Sequence, residues 1–102
     1  MTKAEKMFED LGYKETQLTE DNVYFEKQEK GYELLIYHFI GFALDKQKIN
    51  IYAQDITPCV CGSYNLITKI LTIEELQAIN EFCKERGWKV WRSIIVIGVR
   101  GR

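Results

Sequence analysis

Three thiols and one imidazole are the groups of this chain best suited to attack a substrate or hold a metal: Cys59, Cys61, Cys83 and His38. Cys59-Val60-Cys61 puts two sulfur ligands on one turn, where they could share a soft ion, with Cys83 or His38 completing the set. Structural zinc sites draw on two spaced ligand pairs, and the second pair is missing here. Cys83 instead falls on the apolar stripe of a helical pattern, where a free thiol behaves as a small hydrophobe. A cysteine nucleophile with His38 as its base is the single covalent pairing that one histidine allows. Set between Ile36 and Ile40 in a β-prone run, His38 reads as a hydrogen-bonded, partly buried histidine rather than a base. The carboxylates follow helix starts (Glu5, Glu74, Glu75) or strand and turn surfaces (Glu26, Glu29, Glu33), and the glycines never assemble into a phosphate-binding loop. The expectation is a noncatalytic chain with no metal ligands and no cofactor.

The stronger signal is aromatic. Tyr24, Tyr37, Phe39 and Tyr52 occupy positions that strand alternation can bring to one sheet face, opposite the helices, and with Trp91 and Arg92 they form the candidate interaction face. Rings exposed on a sheet can bury a partner protein or stack unpaired bases. Charge ranks the two. The chain carries a net charge of −1, but from Lys84 onward it holds six basic residues against one acid, so the rest is acidic. Grooves for single strands are basic. A second copy of the chain or a host protein is therefore favoured over a nucleic acid held by Tyr37, Phe39 and Tyr52 with Arg92, Arg100 and Arg102. The basic end has a simpler use too, since cations near a helix C-terminus complement its dipole.

These residues depend on elements that the sequence marks clearly. Thr72 followed by Glu75, with Leu71 and Leu76 on either side, writes a capping box with a hydrophobic staple. Thr2 and Glu5 repeat the spacing ahead of Met7, Phe8 and Leu11. The first helix is expected over 2–11, ending at Gly12, and the second over 72–86, ending at Gly87 with Trp88 placed for the apolar contact of a glycine cap. The second helix is expected to bury Ile73, Leu76, Ile79 and Cys83. Strands are expected at 13–18, 23–27, 32–40, 48–53, 64–70 and 90–99, with Glu29-Lys30-Gly31 and Asp45-Lys46-Gln47 as turns and Pro58 and Gly62 in a loop.

Length bounds the whole. A chain of 102 residues with 46% hydrophobic content fits one core. An odd cysteine count excludes a fully paired disulfide framework within the chain, and no signal-peptide pattern or apolar run of about 20 residues is present. A cytoplasmic protein is expected.

The segments Ala4-Glu5-Lys6-Met7-Phe8-Glu9-Asp10-Leu11-Gly12-Tyr13 and Thr72-Ile73-Glu74-Glu75-Leu76-Gln77-Ala78-Ile79-Asn80, the latter running on to Gly87-Trp88, resemble small phage and prophage proteins of bacteria of unassigned function. The resemblance implies a helix ending in Leu-Gly-Tyr, antiparallel strands, and a second helix ending in Gly-Trp. It covers residues 4–13 and 72–88, and the middle by pattern alone. In that family the chain stops near the Gly-Trp pair, so 89–102 counts as an extension. Its motifs are capping and packing signals that carry no chemistry. The expected architecture is a single α+β domain over 1–88, a meander-like antiparallel sheet of about four to six strands with two helices packed on one face, followed by a strand-like extension. The expected behaviour is homodimer formation through a sheet face or the last strand.

Overall fold

Both helices begin where a threonine hydroxyl replaces a missing backbone partner. The computed structural model describes residues 1–58 and 65–88. In α1, Lys3–Asp10, the Glu5 N–H donates to Thr2 Oγ1 at 3.2 Å. In α2, Ile73–Glu85, the Glu75 N–H donates to Thr72 Oγ1 at 3.0 Å and the Thr72 N–H donates to Glu75 Oε1 at 2.9 Å, closing the capping box. Glu75 is only 2% exposed, and this bond gives its carboxylate one partner in place of water. Thr72→Ala should cost about 1–2 kcal/mol, read as a lower denaturant midpoint, with Thr72→Ser close to wild type.

The ends are equally local. Gly12 and Gly87 take the left-handed backbone, at φ 91° and 76°. After α2 the Gly87 N–H donates to the Lys84 carbonyl at 3.1 Å and the Trp88 N–H to the Cys83 carbonyl at 2.8 Å. This double return is the Schellman motif, and its usual apolar contact is present as the Trp88 ring set edge-on to Phe82, centroids 6.3 Å apart.

The helices are joined where the Ala4 N–H donates to Glu85 Oε2 at 3.0 Å and Lys3 Nζ meets Glu81 Oε1 at 3.5 Å. Glu85 thus places a carboxylate at the positive end of α1. Ala4, Phe8, Ala78, Ile79, Phe82, Cys83 and Trp88 are buried. The stripe expected through Ile73 is corrected, because Ile73 is 67% exposed while Glu75, Ala78, Ile79, Phe82 and Cys83 face inward. Two residues turn a helix by roughly 200°, so a buried Glu75 sends Ile73 to the far side.

The sheet is a meander of five antiparallel strands in the order β1-β2-β3-β4-β5: β1 Lys14–Thr19, β2 Asn22–Gly31, β3 Leu34–Ala43, β4 Lys48–Asp55 and β5 Asn65–Ile67. With the two helices this is an α+β fold. Glu29-Lys30-Gly31 does not turn; it continues β2, paired with Leu34, Leu35 and Ile36. The turn falls at Tyr32-Glu33, with Glu33 at φ 53°. The long β2–β3 ladder outweighs the local turn preference of those three residues. Asp45-Lys46-Gln47 does turn, with Gln47 at φ 52°. Of the strand expected over 64–70, Asn65–Ile67 is paired and 68–70 is not, and the strand expected at 90–99 lies outside the described residues.

Alternation sorts the central strands into two faces. On one, Val23, Phe25, Ile36, Ile40, Phe42 and Ala53 are buried, and Phe25 meets Phe42 edge to face with centroids 6.0 Å apart. The other face carries the rings of the candidate site. By chain contacts the molecule divides into two compact units, the helix pair (Met1–Leu11 and the chain from Leu71 on) and the sheet (Gly12–Ile70). Among the described residues, no helix is long and apolar enough to cross a membrane.

Candidate functional site

The ring-bearing face is built around a missing side chain. Gly41 sits mid-strand in β3, opposite Tyr24 of β2 and Asn50 of β4. A Cβ added there would lie 2.6 Å from Phe39 Cε1, 2.8 Å from Phe39 Cζ and 2.9 Å from Tyr24 Cδ1. Phe39 and Tyr24 therefore fold over the glycine, covering the gap it leaves in the pleat. Their centroids are 4.9 Å apart. Phe39 opposes Tyr52 on β4 at 4.7 Å in an edge-to-face contact, and Tyr37 meets Tyr52 at 6.0 Å. The four rings predicted to share a face do so.

Their exposure is graded. Phe39, at the centre, is 8% exposed, whereas Tyr24, Tyr37 and Tyr52 are half-buried around it. The Tyr37 hydroxyl donates to Glu26 Oε1 at 2.7 Å, which fixes the outermost ring. Partial burial, then the Glu26 bond and charge, hold that hydroxyl's pKa well above the usual tyrosine value. Lys14, Thr16, Gln28, Asn50 and Gln54 share the face by register. The arrangement is a small apolar centre within a polar frame, with its rings held in place by one another. Trp91 and Arg92, the remaining members of the predicted face, lie outside the described residues, as do Cys59 and Cys61.

His38 is on the opposite face, 13% exposed at its side chain. Its Nδ1 is 3.0 Å from Lys69 Nζ and its Nε2 2.8 Å from Glu29 Oε1. An ammonium can only donate, so Nδ1 accepts and Nε2–H donates to the carboxylate. Lys69 also donates to the Tyr13 hydroxyl at 3.2 Å. Both ring nitrogens are thus committed to neighbours, the arrangement of a structural histidine.

Cys83 belongs to the helix unit. Burial pushes its thiol from 9.0 up to about 11, so at neutral pH it is protonated and a weak nucleophile. A raised folded pKa favours the protonated form, so this contribution to stability is full below about pH 9 and lost as pH rises toward 11. Thermal midpoints should fall across that window, and less steeply in Cys83→Ala. Alkylation of Cys83 at pH 7 should be slow until the chain is unfolded, which peptide mass spectrometry would read.

A groove of about 670 Å³ that sequence reasoning missed runs along the helix pair, lined by Met7, Asn80, Cys83 and Trp88 among others. It forms because residues from the two ends of the described chain meet, such as Ala4 and Glu85, which no local pattern announces. Among the described residues, no group of three His, Cys, Asp or Glu side chains is placed to hold a metal ion. Compared with protein-family models, curated proteins and solved structures, the chain matches none of them.

Proposed function

We propose that this chain is a noncatalytic protein-interaction module of phage or prophage type, acting in the cytoplasm, that self-associates and offers its ring-bearing sheet face to a protein partner. The observation that carries the reading is the Tyr24–Phe39–Tyr52–Tyr37 cluster over Gly41. Aromatic residues at a desolvated centre inside a polar rim are what protein interfaces use, and rings already held by neighbours lose little entropy on binding. The noncatalytic part is supported by the committed nitrogens of His38 and the buried thiol of Cys83.

The geometry gives less support to single-stranded nucleic acid. A base stacks on an open ring face, but the central ring is covered and meets Tyr52 edge to face. The Glu26 carboxylate at Tyr37 would also repel a phosphate backbone.

The test compares wild type with a Tyr24→Ser/Tyr52→Ser double variant in cross-linking capture from bacterial lysate, alongside oligonucleotide binding at low salt. The reading predicts partners that cross-link to the ring face, are lost from the folded variant, and compete with no oligonucleotide. A monomer with no ring-dependent partner, or oligonucleotide binding that weakens steeply with salt and needs Tyr37, would contradict it.

A further inference from the structure

The two borders of the sheet are finished differently. At one, β1 presents Lys14 and Glu15, is polar except for Leu18, and breaks register between Gln17 and Thr19. Charge and a bulge are the means by which proteins keep an edge from pairing with other chains. At the other, the described residues of β5 pair with Ala53, Gln54 and Asp55 of β4. Among the described residues, no strand pairs with the outer side of Lys48-Ile49-Asn50-Ile51-Tyr52. That run has no proline and keeps unbroken register with β3. Leu66 and Ile67 of β5, 72% and 41% exposed, lie beside it.

The direction of its backbone groups follows from the ladder. The Ile56 N–H donates to the Leu35 carbonyl of β3 at 2.9 Å. Alternation then turns the backbone groups of the even-numbered residues 48, 50 and 52 toward β3 and those of Ile49 and Ile51 outward. We infer that this edge pairs with the same edge of a second copy, antiparallel about a two-fold axis through Asn50, so that two sheets join into one. The inference rests on the self-association reading above and assigns it a surface.

The run is self-complementary about that axis. Ile49 of each copy opposes Ile51 of the other, and each such pair exchanges both N–H···O bonds, so every outward group of these residues is satisfied. Their side chains continue the apolar face of Ile40 and Phe42. On the ring-bearing face Tyr52 comes opposite Lys48 of the second copy, which suits a cation beside an aromatic ring. Asn50 meets its own counterpart as a non-hydrogen-bonded pair, with Cα atoms about 4.5 Å apart. The two ring-bearing faces become one continuous surface while each stays open to a partner.

The experiment is light scattering across a dilution series on wild type, Ile49→Pro and Asn50→Cys. The Cα spacing of that central pair lies within disulfide range, so Asn50→Cys should oxidise to a covalent dimer whose link maps by peptide mass spectrometry to position 50 of both copies. Proline at 49 removes an N–H that points away from β3 and sits near the strand start, where it is tolerated. Ile49→Pro should therefore keep its circular dichroism yet dissociate at concentrations where wild type is dimeric, a loss of at least ~10-fold in association, since interface losses of about 1.4 kcal/mol reach that size. A wild-type dimer whose Asn50→Cys variant forms no position-50 link, and whose association survives Ile49→Pro, would overturn the edge and leave the self-association reading standing. A monomer at all concentrations, including one whose 90–99 segment covers the edge, would overturn both.

Discussion

Phe42→Ala should lower unfolding stability by about 3–5 kcal/mol, a large share of the roughly 5–15 kcal/mol that holds a domain of this size together. Phe42 is fully buried, sits in β3 between Val23 of β2 and Ile49 of β4, and meets Phe25 edge to face. Truncation removes the transfer term of a whole ring and leaves a hole that paired strands on both sides keep from closing. Chemical denaturation should show the midpoint shift with little change in slope. Tyr32→Ala, at a turn residue 93% exposed, should move it by no more than about 0.5 kcal/mol.

The neighbouring position fails in the opposite way. Gly41→Ala should destabilise by about 1–3 kcal/mol, although alanine in a strand otherwise gains up to about 1 kcal/mol over glycine. The new methyl group would stand within 3 Å of Phe39 and Tyr24 ring atoms. A lone ring would swing away at small cost. Phe39 is held by Tyr24 on one side and Tyr52 on the other, so it must move with its neighbours. Near-ultraviolet circular dichroism should change together with stability. Adding Phe39→Leu should recover part of the loss, giving a coupling that independent sites would not show. Because the same rings form the candidate interface, Gly41→Ala should also weaken binding at that face.

Local chemistry was legible and long-range chemistry was not. The Thr72–Glu75 box, the Thr2 cap and the Gly87-Trp88 ending were readable because each depends on residues within a few positions. The ring face was readable in part. Alternation placed Tyr37 and Phe39 together on one strand, and aromatic spacing suggested Tyr24 and Tyr52, but the register that brings Tyr52 opposite Phe39 belongs to the β3–β4 ladder. The role of Gly41, lying under two rings, is visible only once those strands pair. Glu29-Lys30-Gly31 misled for the same reason, as the β2–β3 ladder carries it onward and leaves the turn to Tyr32-Glu33. Ile73 misled because the buried stripe follows Glu75, a residue whose polarity hides its packing. The Ala4–Glu85 bond, the His38–Lys69 contact and the groove along the helices join residues far apart in sequence, so no motif marks them.

Taken together, the sheet has one buried apolar face, one ring-bearing face and one edge, Lys48–Tyr52, that no described strand covers, and the proposed self-association uses that edge. Amide hydrogen exchange at Ile49 and Ile51 tests that most directly, since their N–H groups point away from β3. The account predicts protection at both amides when the protein is concentrated, lost on dilution, while even-numbered neighbours bonded to β3 stay protected throughout. Fast exchange at Ile49 and Ile51 at every concentration, or protection that dilution leaves unchanged, would contradict it.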